Sequence, residues 1–123
     1  TGGGLASGRP EDTANYTALL AALRKELDFA AGAGKHCELT IAAPAGPKVI
    51  AGIEVGKIHP YLDAVNIMTY DFHGAWELTT NHNSPLLPSS GDPGPAGFST
   101  DAAVKAYIAG GVPKKKIVVG AAF

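Results

Sequence analysis

The residues best suited to act on a substrate lie between positions 64 and 76 of the chain. With the two-residue period of a β-strand, one face is aliphatic and β-branched and the other carries polar and aromatic groups. The first face is Val65, Ile67 and Thr69, and the second is Asn66, Met68 and Tyr70. An aliphatic face suits packed helices, and a polar face suits the interior of a small barrel, whose carboxyl-terminal rim is where side chains meet substrate. We therefore expect a strand buried on both sides, with Asp71 and Trp76 at a substrate-facing rim.

The same residues also have purely structural interpretations, which the pattern leaves open. Met68 and Tyr70 are at alternate strand positions and can be core residues. Asp71 can serve as a turn residue or helix cap, and Trp76 can plug the mouth of a barrel. The carboxylate and imidazole groups of Asp71, His73 and His82 match no common metal-ligand spacing, so we predict no metal site.

The elements that must position these residues follow an α/β order. A helix begins at Pro10, carries an apolar stripe and ends at Gly32 and Gly34. The stripe is Tyr16, Leu19, Leu20, Leu23 and Leu27. A strand over residues 39–44 follows, with Cys37 expected to be buried beside it, and then a short or broken helix within residues 45–62.

After the strand at 64–76, residues 73–98 form a long loop rich in proline, glycine, serine and asparagine. Loops of this length in compact domains are usually functional or disordered. Ser99 or Thr100 is expected to cap a second helix, which Gly110 and Gly111 end. Residues 117–123 are a continuous apolar run, typical of a parallel strand covered on both faces.

This order predicts parallel strands joined by right-handed crossovers. Three strands leave two edges and an interior face uncovered, so we expect the 123 residues to be a segment of a larger barrel, and to self-associate through strand edges when alone. The balance of 10 basic and 11 acidic residues favours neither nucleic acid nor an anionic membrane as a partner. No apolar segment approaches membrane-spanning length.

Residues 68–76, Met-Thr-Tyr-Asp-Phe-His-Gly-Ala-Trp, resemble the sixth-strand signature of the chitinases of glycoside hydrolase family 18. Residues 39–45 are similar to the family's fifth strand, and residues 103–120 to its sixth helix and seventh strand. Asn81-His82-Asn83-Ser84-Pro85-Leu86 resembles the segment after the signature tryptophan in bacterial members.

The resemblance implies a fragment of a (β/α)8 TIM barrel, about strands five to seven, with residues 1–123 a partial catalytic domain. The family's general acid is the glutamate that ends a motif on the fourth strand, and that motif is absent here. Thr1-Gly2-Gly3-Gly4 resembles the loop just after this glutamate, and neither Glu54 nor Glu77 is at the acid position. We therefore expect the chain alone to be inactive.

By resemblance, the parent is a secreted bacterial chitinase that hydrolyses β-1,4-linked N-acetylglucosamine polymers with retention, using the substrate's own acetamide as nucleophile and no cofactor. The resemblance implies that Tyr70 donates its hydroxyl to this acetamide and that Asp71 positions it. It also implies that Met68 lines the subsite and that Trp76 stacks on a sugar ring. A catalytically inactive chitin-binding lectin and an endo-β-N-acetylglucosaminidase are the alternatives.

Overall fold

A computed structural model of the chain describes residues 8–92, 94 and 96–123. The segment Thr1-Gly2-Gly3-Gly4, compared above with the loop after the catalytic glutamate, lies outside the described residues. The helices are α1 (Asp12–Ala31), α2 (Pro47–Ile50), α3 (Val55–Ile58) and α4 (Thr100–Ala109), with 3₁₀ turns at His59–Tyr61 and Lys114–Lys116. The strands are β1 (Thr40–Ala43), β2 (Ala64–Ile67) and β3 (Ile117–Val119).

Within the described residues, the strands form one parallel sheet in the order β1-β2-β3. Ile41 pairs with Val65, and Val65 pairs with Ile117. The predicted parallel sheet is therefore confirmed, and the crossover from β1 to β2 is made of two single helical turns, as the glycines of residues 45–62 predicted. All three carboxyl ends lie at the same edge of the sheet, because parallel strands run in one direction.

The helix boundaries follow the local signals in the sequence. Helix α1 begins two residues after Pro10 and ends at Gly32, whose φ of +76° is a backbone conformation that glycine adopts without strain. Ser99 is the N-cap of α4, and its hydroxyl accepts a hydrogen bond from the Ala102 N–H at 3.3 Å. The structure thus assigns the cap to Ser99 and not to Thr100.

The hydrophobic core lies on one face of the sheet, between the strands and the helices. It consists of Leu20, Ile41, Ala43, Ala45, Ile50, Val55, Ile58, Leu62, Val65, Ile67, Phe72, Ala103, Tyr107 and Val112. The expected stripe of α1 contributes only Leu20 and the partly buried Tyr16, whereas Leu19 is 53% exposed and Leu23 is 40% exposed. The apolar stripe of α1 is wider than the surface that α1 buries, because α1 packs mainly on the short crossover helix α3.

The expectation that β2 and β3 are buried on both sides is wrong for the described residues. Val65, Ile67 and Thr69 are fully buried on the helix-covered face, but Met68 on the other face is 37% exposed and Val118 is 46% exposed. A short sheet with helices on one side leaves its second face open. Cys37 is also only partly buried, because it precedes β1 at the end of the sheet.

None of the described helices combines the length and the apolar character needed to cross a membrane.

Candidate active site

Met68, Tyr70 and Asp71 lie together at the carboxyl-terminal edge of the sheet. With the segment that follows β1, they line a cleft of about 250 Å³. The remaining lining residues are Pro44, Ala45, Gly46, Phe72 and Phe98. The structure therefore brings three of the four predicted site residues into one cleft, at the position where parallel α/β sheets generally bind ligands.

Backbone contacts with both neighbouring strands hold the end of β2 in place. The Met68 N–H donates to the Ala43 carbonyl at 2.8 Å, and the Gly120 N–H donates to the Ile67 carbonyl at 2.9 Å. The buried hydroxyl of Thr69 donates to the Gly120 carbonyl at 2.6 Å. The backbone just before Tyr70 and Asp71 is therefore held in a fixed position, which restricts where these two side chains can point.

Asp71 is exposed and has a φ of +56°, which places a non-glycine residue in the left-handed region. Its Oδ1 accepts a hydrogen bond from the side-chain amide of Asn83 at 3.0 Å. Sequence reasoning singled out the segment that contains Asn83 but gave it no contact with Asp71. The polar residues of this segment, which follow the signature over residues 68–76, were the available signal.

Trp76 is 67% exposed and does not line the cleft that contains Tyr70 and Asp71. Its ring folds back over Gly74, where a side chain would overlap the indole. The Glu77 N–H donates to the Gly74 carbonyl at 3.1 Å and closes this turn. Trp76 therefore presents a flat aromatic surface to solvent beyond the rim.

His73, which sequence reasoning considered only as a metal ligand, is buried in the long loop. Its Nδ1 lies 2.8 Å from Oε2 of Glu77, and its Nε2 lies 3.8 Å from Oδ2 of Asp92. The Gly94 N–H and the Asn81 amide donate to Asp92 and hold the pKa of this carboxyl below its usual range. His73 thus connects Glu77 and Asp92, two separate parts of the loop.

Among the described residues, no three His, Cys, Asp or Glu side chains are grouped to bind a metal ion.

Tyr107 supports the β1 side of the cleft from within the core. Its side chain is fully buried, and its hydroxyl donates to the Pro44 carbonyl at 2.8 Å. Burial raises the pKa of Tyr107, so the hydroxyl keeps its proton and remains a donor. Helical periodicity placed Tyr107 on the apolar face of α4, but only the folded chain shows that its hydroxyl reaches Pro44.

Comparison with known proteins identifies the family of this chain. Residues 3–123 match the family described as glycosyl hydrolases family 18. The chain belongs to this family. Chitinase A1 from Niallia circulans is 44% identical to it over 124 aligned residues, which cover 95% of this chain and 18% of that relative. The family match and this similarity both extend along nearly the whole chain.

Solved structures of chitinases have the same fold over the length of this chain. Chitinase ChiA74 from Bacillus thuringiensis superposes with a TM-score of 0.86 at 44% identity, covering 95% of this chain and 19% of that one. Chitinase ChiW from a Paenibacillus species, described as a cell-surface-expressed multi-modular enzyme, gives a TM-score of 0.86 at 45% identity, covering 95% of this chain and 10% of that one. This family 18 chain thus spans about a fifth or less of each of these relatives. The family assignment and the bacterial relatives confirm the resemblance drawn from residues 68–76.

Proposed function

We propose that this family 18 chain forms the substrate-positioning wall of a chitinase that hydrolyses β-1,4-linked N-acetylglucosamine polymers. The observation that supports the proposal best is the shared cleft of Met68, Tyr70 and Asp71 at the carboxyl-terminal edge of a parallel sheet. The three relatives compared above are named chitinases, which favours hydrolysis over the lectin and endo-β-N-acetylglucosaminidase alternatives.

In the proposed mechanism, the acetamide carbonyl oxygen attacks the anomeric carbon of the same sugar while the glycosidic bond breaks, and the general acid protonates the leaving oxygen. Water then attacks the anomeric carbon of the resulting oxazolinium ion, so that the product retains its configuration. Tyr70 donates its hydroxyl to the acetamide, and Asp71 holds the group in attack geometry. Fixed dipoles placed where charge develops lower the barrier, because they need no reorganisation during the reaction. Met68 lines the subsite. The exposed indole of Trp76 stacks on a sugar ring farther along the bound polysaccharide.

We further propose that residues 1–123 correspond to about strands five to seven of a (β/α)8 barrel. In this arrangement, the open face of the sheet faces the barrel interior, and a glutamate on another strand supplies the proton. The mechanism calls for no cofactor or metal. The cell-surface description of ChiW supports secretion of the parent protein.

A chimera tests the roles of Tyr70 and Asp71. In this chimera, the 123-residue chain replaces the matching segment of Chitinase A1 from Niallia circulans, and hydrolysis of a fluorogenic chitooligosaccharide is measured. We expect turnover in the chimera, and a loss of about 10²- to 10³-fold in kcat for Tyr70→Phe and Asp71→Asn, the range for removing one preorganised charge-stabilising group. The 123-residue chain alone should show no turnover.

Two results would contradict this proposal. An unchanged kcat in both variants of an active chimera would remove Tyr70 and Asp71 from the reaction. Turnover by the isolated chain above that of its Tyr70→Phe, Asp71→Asn double variant would show that no group outside residues 1–123 is required.

The open sheet face leads to a separate expectation for the isolated chain. Val118 is 46% exposed on that face, and the strands at both edges of the described sheet carry unpaired backbone groups. We expect concentration-dependent self-association, which sedimentation velocity measures directly, and weaker association for Val118→Lys. A monodisperse monomer over the whole concentration range would contradict this expectation.

A further inference from the structure

One residue of the long loop, Asn83, makes three hydrogen bonds to the turn that carries Asp71. Its side-chain Nδ2 donates to Oδ1 of Asp71 at 3.0 Å and to the carbonyl of His73 at 3.1 Å. Its own carbonyl accepts the N–H of Phe72 at 3.0 Å. Asn83 therefore contacts three consecutive residues, and one of its contacts is with the candidate catalytic carboxylate itself.

The turn at Asp71 needs such support because of its backbone conformation. A left-handed φ is uncommon for a residue other than glycine and persists where neighbouring groups support it. The next loop residue, Ser84, donates its hydroxyl to the Thr69 carbonyl at 2.5 Å. Asn83 and Ser84 thus hold the chain on both sides of Tyr70 and Asp71.

The segment of residues 83–86 is itself anchored to the core. The N–H of Thr100 donates to the Pro85 carbonyl at 2.9 Å, and the N–H of Asp101 donates to the Leu86 carbonyl at 3.0 Å. These donors belong to the first turn of α4, where backbone N–H groups have no partner within the helix. Since α4 is packed in the core through Tyr107, Asn83 has a fixed position relative to the sheet.

We propose that Asn83 is a positioning residue for the reaction, one that orients the Asp71 carboxylate by occupying one of its oxygens. This inference rests on the proposed function, because it requires Asp71 to act on the substrate. The amide can donate to Asp71 and to His73 at the same time, which a carboxylate at position 83 cannot do. Asn83 leaves the second oxygen of Asp71 available to a substrate group.

Two substitutions of Asn83 in the active chimera show whether this residue orients the Asp71 carboxylate or only fills space beside it. Asn83→Asp keeps the shape but replaces the donor with a like charge beside Asp71, whereas Asn83→Ala removes both shape and donor. For a positioning residue, Asn83→Asp is the more harmful change at pH 7, and kcat falls about tenfold to a hundredfold while KM stays within about twofold. The deficit shrinks as the pH falls, because protonation of the introduced carboxyl removes its charge and gives it a donor toward Asp71.

A matched control comes from the same loop. The side-chain amide of Asn81 donates to Asp92 at 2.6 Å, so Asn81→Asp disturbs the loop in the same chemical way without reaching Asp71. This control should keep kcat within about twofold even where it lowers the melting temperature of the chimera, since loss of a loop contact acts on stability and not on the reacting groups. A loss of kcat as large as that in Asn83→Asp would overturn the inference.

A double-mutant cycle shows whether Asn83 acts through Asp71. In an Asp71→Asn background, Asn83→Asp should cause no further loss of kcat. If Asp71→Asn leaves kcat unchanged, the role proposed for Asp71 is wrong and that of Asn83 with it, and if Tyr70→Phe also leaves kcat unchanged, the proposed function fails. If Asp71→Asn lowers kcat about 10²- to 10³-fold but Asn83→Asp keeps full kcat across the pH range, the proposed function stands and the role of Asn83 is wrong.

Discussion

The ring of Tyr70 lies directly against the backbone of Gly120. A Cβ atom at position 120 would lie 2.8 Å from Cε1 of Tyr70 and 2.8 Å from the carbonyl oxygen of Ile67. Real Cβ atoms do not approach other atoms this closely, and the Ile67 oxygen cannot withdraw because it accepts the Gly120 N–H. A residue without a side chain is therefore required where β3 ends beside Tyr70.

Gly120→Ala should displace the Tyr70 ring. We expect a loss of about 1–3 kcal/mol in the free energy of unfolding, the usual cost of overpacking, measured by urea denaturation of the 123-residue chain. The kcat of the chimera should fall about tenfold or more, because displacement of Tyr70 misplaces its hydroxyl in the cleft. Gly91→Ala is the control, because a Cβ at that position meets no described atom within 4 Å. Equal stability and kcat for the two variants would contradict the packing of Tyr70 on Gly120.

Tyr107→Phe should destabilise the chain by about 1–2 kcal/mol, because it leaves the Pro44 carbonyl without its donor in a buried setting. Urea unfolding with an unchanged m-value measures this loss. Tyr61→Phe is the matched control, since Tyr61 is only partly buried and its hydroxyl makes no hydrogen bond within the described residues. Equal effects of the two substitutions would rule out a stabilising bond from Tyr107 to Pro44.

The stability of the fold should depend on pH through Asp63. This residue immediately precedes β2, and its carboxylate accepts the N–H of Leu39, just before β1. The Leu39 N–H, the His36 ring and the Arg24 guanidinium hold the pKa of its carboxyl below the usual range. Because the folded pKa lies below the unfolded value of about 3.9, the ionised group stabilises the fold above that pH. This contribution is lost as the pH falls through the folded pKa.

The stability difference between the wild-type chain and Asp63→Asn should therefore be largest near pH 7 and shrink below about pH 4. Urea unfolding over a series of pH values measures it. Glu26→Gln, at an exposed position on α1, should show no comparable trend. A difference that stays constant with pH would mean that the Asp63 charge does not stabilise the fold.

Trp76 is the only tryptophan in the chain, so its fluorescence reports directly on the proposed stacking. Adding a chitooligosaccharide to the 123-residue chain should shift the emission to shorter wavelength, because a sugar ring would cover an indole that is 67% exposed. In the chimera, Trp76→Ala should raise KM about threefold to thirtyfold, the range for losing one aromatic contact, without lowering the melting temperature. Leu78→Ala should change neither quantity. An emission spectrum that saturating sugar leaves unchanged would exclude stacking.

Local signals predicted the elements well because they act within a few residues. Pro10, Gly32 and Ser99 mark helix ends through backbone geometry and capping, which depend little on the rest of the fold. Burial was predicted less well. A two-residue period shows which side chains share a face, but it does not show whether another layer covers that face, and Met68 and Val118 are exposed for this reason.

The sequence by itself determined the order of elements, the parallel sheet, the family and the placement of Met68, Tyr70 and Asp71 at the end of one strand. Only the tertiary structure decided which distant groups hold them. Gly120 supports Tyr70, and Asn83 reaches Asp71 across a loop whose path no local pattern fixes. The physical reason is that strand and helix periodicity come from neighbouring residues, whereas the position of a catalytic side chain depends on contacts between residues far apart in the chain.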